Sequence, residues 1–288
     1  MKLLLLPTLA LFTLASLTHA ADAPKPLKVL LLTGGCCHDY KTQKDILKKG
    51  IEARANVVVD QIHTDDKSTK PPLAIYGNAD YAKGYDLVIH DECAADINEP
   101  ATIDAVLKPH VDGLPGVNLH CAMHSYRFGE FGKPVAADAN NAHWYNYIGI
   151  QSTGHGPQEP IAINYVAREN PIEKGFENWT TVNEELYNNI QILPGAQALA
   201  RGKQMVKNKK KNADGVETVE EKAVEAVVAW TNEFGPKKAR VFSTTIGHNN
   251  TTVEDARYLD LVTRGVLWAC DKLDADGKPK AGYGPAAK

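Results

Sequence analysis

Three runs of largely apolar residues, KVLLLTGG (28–35), NVVVDQI (56–62) and YDLVIHDE (85–92), constrain this chain more than any other feature. A strand with one wetted face alternates polar and apolar residues. A near-continuous apolar run instead reads as a strand covered on both faces, the habit of parallel sheets flanked by helices. The segments between them match. TQKDILKKGIEARA carries Ile46, Leu47 and Ile51 at helical spacing, and EPATIDAVLKPHVDG (99–113) opens on Glu-Pro and closes at Gly113. PGVNLHC supplies the next strand, and such alternation implies a parallel sheet with right-handed crossovers.

The second half reads differently. IAINYVAR, TTVNEELYNN, AQALARGK, AVVAWTNEF and ARVFSTTIG are strand-like pieces with little helix between them, expected as an antiparallel extension of the sheet. Residues 203–222 run from a basic block through Asp-Gly to an acidic block, the pattern of an exposed hairpin insertion. VEDARYLDLVTRGVLWACDKL (253–273) closes the domain as an amphipathic helix with Leu259, Val262, Val266 and Leu267 on one side. The expected organisation is a signal peptide over 1–20, one domain over 27–273, and a flexible tail over 274–288.

The leader rests on Lys2, an apolar stretch from Leu3 to Leu17, and small residues up to Ala20. The stretch is shorter than the roughly 20 residues of a membrane span and contains Pro7. Cleavage after Ala20, a periplasmic or secreted location and no stable membrane insertion are therefore expected. Without Lys2 the chain keeps 31 basic against 35 acidic residues, a balance that argues against nucleic acid as a partner. Five cysteines are an odd number, and Cys36 and Cys37 are adjacent, so at least one free thiol is expected. Cys93 and Cys270 read as small core residues.

In an open α/β sheet, ligands bind beyond the carboxyl ends of the strands. The polar residues of this chain collect there: His38-Asp39 after the first strand, His90-Asp91-Glu92 at the end of the third, and His120 to His124 after the fourth. Later segment ends add His143, His155, Glu184-Glu185 and His248-Asn249-Asn250. His63, His90 and His110 are read as structural; Tyr76, Tyr85, Trp144, Tyr145 and Tyr147 suit either platforms for a sugar ring or, the commoner role of such aromatics, the closing edge of a core.

LLLTGGCCHDY, GVNLHCAMHS, NEELYNN and above all AWTNEFGPKKARVFSTTIGHNNTTVEDARYLDLVTRGVLWA resemble the ThuA-like (trehalose-utilisation) family. The resemblance covers about residues 27–273. It departs at Asn170-Pro171-Ile172, where many relatives read His-Pro-Ile. It implies an α/β fold with a flavodoxin-like parallel sheet flanked by helices and an antiparallel extension, like class I glutamine amidotransferases. It also implies a pocket of His38, His120, His155, Glu185 and His248, the positions that the strand ends pick out independently. On this reading His120, Glu185 and His248 are catalytic, and His38, Asp39, His124, Arg127, His155 and Asn249 bind ligand. His124 and Arg127 are expected on a helix following the fourth strand.

Imidazoles beside a carboxylate suit a divalent zinc or manganese ion, with His38, His120, His155 and His248 as its ligands. The implied partner is a small-molecule carbohydrate, a glycoside or keto-sugar, that the protein processes. A non-catalytic carbohydrate-binding protein is the alternative. Cys121 stands where amidotransferase relatives carry their nucleophile, so a Cys121-dependent amidase or hydrolase is a third reading. ThuA-like proteins generally lack that cysteine, and Cys121 is expected only to fill a tight turn.

Overall fold

The computed structural model describes residues 24–211 and 217–285. The expected signal peptide and the hairpin tip at 212–216 lie outside the described residues. The first half delivers the expected alternation: β1 (Leu27–Gly35), α1 (Tyr40–Glu52), β2 (Val57–His63), β3 (Leu87–Cys93), α2 (Pro100–Val111) and β4 (Gly116–Leu119). There follow α3 (His143–Ile148), β5 (Ile150–Gln151), β6 (His155–Tyr165), β7 (Trp179–Tyr187), β8 (Gln191–Ile192), β9 (Gln197–Lys211), β10 (Glu217–Phe234), β11 (Ala239–Thr244), α4 (Asn250–Glu254) and α5 (Ala256–Ala269).

One nine-stranded sheet runs in the order β2-β1-β3-β4-β11-β10-β9-β6-β7. The strands from β2 to β11 are parallel, and β10, β9, β6 and β7 pair antiparallel, as the sequence patterning implied. The order reverses between β1 and β3, because β1 connects outward to β2 while β3 leads inward to β4. Their loops part there and leave a crevice at the carboxyl edge.

The central strands are buried on both faces because each face has its own cover. Val29 and Leu31 of β1 join a core with Leu47 and Ile51 of α1 and with Val262 and Val266 of α5. Leu30 and Leu32 join another core with Ile103 and Val106 of α2 and with Trp144 and Tyr147 of α3. Each such side chain contributes about 1.5–3 kcal/mol when fully buried. The unbroken apolar run is thus the signature of two cores sharing one strand. The expected core-edge aromatics follow: Trp144, Tyr145 and Tyr147 are buried, while Tyr76 and Tyr85 pack at the margin.

Two expectations need correction. Residues 120–124 form a single 3-10 turn rather than a helix that continues to Arg127. Ser125 is extended and Tyr126 left-handed (φ 57°), so the chain leaves the turn before a second one can close. The tail is also held rather than free as far as the description reaches. The backbone N–H of Asn56 donates to the Tyr283 carbonyl at 3.0 Å, and the Tyr283 ring packs against the first core with Lys272 over its face.

Candidate functional site

His120 follows β4 in a left-handed conformation (φ 41°) and opens the 3-10 turn. Its Nδ1–H donates to the Thr245 carbonyl at 2.6 Å. A carbonyl can only accept, so the proton sits on Nδ1, and Nε2 faces the site. There Nε2 lies 3.5 Å from Glu185 Oε2 and 3.5 Å from the Tyr187 hydroxyl. His155 is arranged alike: its Nδ1–H donates to the Gly156 carbonyl at 2.9 Å, and Nε2 stands 3.6 Å from the same Oε2. His248 approaches from the other side, with Nδ1 3.3 Å from Glu185 Oε1 in a close contact without the alignment of a hydrogen bond. The Gln158 amide bridges His248 Nε2 at 2.8 Å and Glu185 Oε1 at 3.3 Å.

His38, on the loop after β1, completes the cluster. Its ring centroid is 4.6 Å from that of His120 and 4.8 Å from that of His248, both edge-on. One nitrogen from each of His38, His120 and His248 lies within 4.8 Å of the other two. His155 stands outside this trio, half exposed, against the same Glu185 oxygen as His120. The five residues singled out in the sequence therefore share one centre, with His155 at its rim.

Electrostatics sort their protonation. Burial, reinforced by the neighbouring His120 and His248, lowers His38 to about 2, so its imidazole is neutral. Burial alone would raise Glu185, but His120 and His248 override it and hold the carboxyl well below the usual carboxylate range. The contact with Glu185, against partial burial, raises His248. An ionised carboxylate thus shares a cluster with an imidazole held neutral, His38, and one whose proton affinity is raised, His248. That is the ingredient set of general acid–base chemistry.

The neighbours hold this set in place. Glu184 is fully buried and accepts from the backbone N–H groups of Gly247 (3.4 Å), His248 (2.9 Å) and Asn249 (3.0 Å). Gln43 donates from above to the carbonyls of His248 (2.9 Å) and Gly247 (3.4 Å). The loop that presents His248 is clamped from two elements. Glu184, Gln43, Gln158 and Tyr187 escaped sequence reasoning as site residues. Only Glu184 had a signal, since Glu184-Glu185 at a strand end must point to opposite faces.

The other expected ligand residues are placed less directly. Asp39 caps α1, accepting from the Thr42 N–H, and receives the Asn250 side chain at 2.8 Å, so it joins α1 to α4. The Asn249 side chain donates to the Asn183 carbonyl. His124 is buried, bonded to the Ser152 hydroxyl at 2.8 Å and stacked on Tyr187 at 4.2 Å. Arg127 lies over the Phe131 ring, with Nε and Nη1 buried and unpartnered. His90 and His110 form a separate buried network with Glu92 and Tyr126, as their structural reading implied.

The cysteines depart most from expectation. Cys36 and Cys37 bridge each other, and Cys93 is bridged to Cys121 rather than being a free core residue. Cys270 is the free thiol among the described residues. A disulfide sulfur is no nucleophile, so the oxidised protein has no Cys121 amidase, and Cys121 is more than a turn filler.

Residues 28–269 match the ThuA family model, described as trehalose utilisation. The chain belongs to the ThuA family. The fold is shared with a ThuA-like protein from Parabacteroides merdae, at TM-score 0.58 and 18% identity over 89% of this chain and 98% of that one. A GMP synthase subunit from Thermoplasma acidophilum overlaps at TM-score 0.47 and 11% identity, over 86% of this chain and 96% of that one. The glutaminase domain of Trypanosoma brucei CTPS does so at 0.42 and 11%, over 89% and 99%. No curated protein matches the sequence. In ThuA terms, the histidine cluster occupies the carboxyl edge of a flavodoxin-like sheet, beside an open cleft of about 620 Å³ lined by His38, Asp39, Lys41, His63, Asp65 and Lys67.

Proposed function

We propose that this ThuA-family protein processes a keto-sugar or glycoside at the His38–His120–Glu185–His248 cluster. The observation that carries the reading is the convergence of His120, His155 and His248, from three separate strand or loop ends, on the Glu185 carboxylate, with His38 packed edge-on against His120 and His248. Packing does not explain it, because unpartnered buried polar groups each cost about 1–3 kcal/mol. His38 Nδ1, His248 Nδ1, Tyr40 Oη and Thr245 Oγ1 are such groups here. The cleft is of the size that encloses small molecules and reaches the cluster through His38.

The donor set fits a divalent zinc or manganese ion: His38 is a neutral imidazole, His120 has its Nδ1 proton tied back so that Nε2 is free, and a carboxylate stands beside them. His38, His120 and His248 would hold the ion, which when bound would polarise a sugar carbonyl or hydroxyl. The chain's own groups supply the rest. With His120 Nε2 given to the ion, Glu185 accepts the proton from the carbon or hydroxyl next to the carbonyl, its Oε2 3.5 Å from His120 Nε2 and 3.6 Å from His155 Nε2. Tyr187 holds His120 and Gln158 holds His248.

The test is turnover of a keto-glycoside by metal-loaded protein, with unoxidised trehalose as comparison. Turnover that falls roughly 100-fold or more in Glu185→Gln, at near-wild-type melting temperature, supports the reading. Tight binding without turnover would instead favour the carbohydrate-binding alternative. The location belongs to the same proposal: material secreted or released from a periplasm should begin at Ala21, and an N-terminus at Met1 would contradict export.

A further inference from the structure

Four of the five cysteines meet at a second centre beside the histidines. Cys36 and Cys37 follow β1, Cys93 ends β3 and Cys121 follows β4, so the crevice at the strand-order reversal gathers all four. They form two disulfides, and the two touch: Cys36 Sγ is 3.4 Å from Cys93 Sγ. The pairs differ in access. Cys37 is exposed and Cys36 partly so, whereas Cys93 and Cys121 are 3% and 5% exposed. The inner pair also borders the proposed active site, since one nitrogen of His38 and the sulfurs of Cys93 and Cys121 lie within 4.8 Å of one another.

We propose that these four cysteines are a dithiol–disulfide exchange site, in which the Cys36–Cys37 pair carries electrons between an external dithiol and the buried Cys93–Cys121 pair. Exchange proceeds by attack of a thiolate on a disulfide sulfur. A thiolate of the external dithiol attacks Cys37 Sγ, breaks the Cys36–Cys37 bond and releases the Cys36 thiolate. Cys36 is already in contact with Cys93. Its attack forms a Cys36–Cys93 bond and releases the Cys121 thiolate. The second thiol of the dithiol then closes its own disulfide and frees the Cys37 thiolate, which attacks Cys36 Sγ, restores the Cys36–Cys37 bond and releases Cys93. The dithiol has lost two electrons and two protons, and Cys93 and Cys121 have gained them as two thiols. An external disulfide drives the same steps backward.

Burial explains why two pairs are needed. An external thiol cannot reach Cys93 or Cys121 without opening the loop, while Cys37 stands in solvent. Cys270 takes no part: its thiol lies at the amino-terminal side of the sheet, against the Asp86 carbonyl at 3.7 Å, and burial pushes it up to about 12.

The experiment uses the full chain, pulsed with dithiothreitol under native conditions, quenched in acid, alkylated in denaturant and mapped by peptide mass. Wild type should show Cys93 and Cys121 alkylated together. Their reduction should slow roughly tenfold or more in the Cys36→Ala/Cys37→Ala double variant, because the exposed entry is gone. Cys37→Ser gives an independent readout: the lone Cys36 should be found bonded to Cys93, with Cys121 free. Equal reduction rates in wild type and double variant, or a Cys37→Ser protein that keeps Cys93–Cys121 and a free Cys36, would overturn the proposal. Four free thiols that take up one zinc ion in the protein as purified would overturn it too, in favour of a thiolate metal site.

Discussion

Residue identity decides most where an imidazole is buried, and the chain uses burial in two ways. At the cluster, His38 and His120 have nitrogens aimed at a shared centre. In the second network, each imidazole finds a partner: His110 Nδ1–H donates to the Leu114 carbonyl at 2.8 Å, its Nε2 meets His90 Nε2 at 3.1 Å, and His90 Nδ1 meets Glu92 at 2.8 Å. Burial, with His90 beside it, lowers His110 to about 3, so the native state refuses a proton that the unfolded chain accepts near 6.5. The unfolded state therefore binds more protons below that value, and the stability His110 supports is lost as pH falls through the unfolded value toward about 3. His110→Gln should cost about 1–3 kcal/mol at pH 7, because it strands His90. The gap to wild type should narrow by about 1.4 kcal/mol per pH unit below pH 6. Urea denaturation at pH 7, 6 and 5 measures it, and a gap independent of pH would show that His110 is not held neutral.

Elements carry the site by their ends and by how closely they pack. In β7 the alternation of side chains sends Glu184 to the amides of the 247–249 loop and Glu185 to the imidazoles, so one strand both clamps the loop and charges the pocket. Glu184→Gln keeps the shape but sets an NH2 against backbone N–H donors. It should raise hydrogen exchange at the His248 and Asn249 amides at least roughly tenfold, a cost of about 1–3 kcal/mol; unchanged protection would deny the clamp. Helix α5 packs on β11 through Gly265, where an added Cβ would sit 2.3 Å from the Phe242 ring. Gly265→Ala gains helix propensity yet should destabilise by about 1–3 kcal/mol, since the ring is locked between sheet and helix. A melting temperature at or above wild type would mean that α5 can slide outward. The parallel strands were legible because burial on both faces leaves an apolar run. The end of the turn at His124 was not, because it depends on Tyr126 adopting φ 57°, which no pattern in HCAMHSYRFG announces.

At the scale of the whole molecule, the cluster is a product of topology. His38, His120 and His248 are separated by 82 and 128 residues in sequence, yet they follow β1, β4 and β11, and β4 pairs directly with β11. That much could be read from strand ends. The touching disulfides could not, because adjacency of Cys36 and Cys37 argued against bridges, and only the reversal between β1 and β3 brings Cys36 against Cys93. Gln43 and Gln158 were hidden for a similar reason: each acts through a carbonyl or imidazole far away in sequence. A site assembled from distant elements exists in the folded chain and not in the unfolded one, so an ion that binds it must stabilise the fold by mass action. Zinc at about 100 times its dissociation constant should add about 2.7 kcal/mol, which for a domain of this size raises the melting temperature by several degrees. His120→Asn should abolish the rise, because it removes Nε2 from the centre while leaving a donor near Thr245. His143→Asn, whose imidazole meets Asp104 on the surface at 2.7 Å, should leave the rise intact. A shift that survives in His120→Asn, or none in wild type at saturating zinc or manganese, would place the metal elsewhere or deny it, and leave Glu185 and its imidazoles to act on substrate alone.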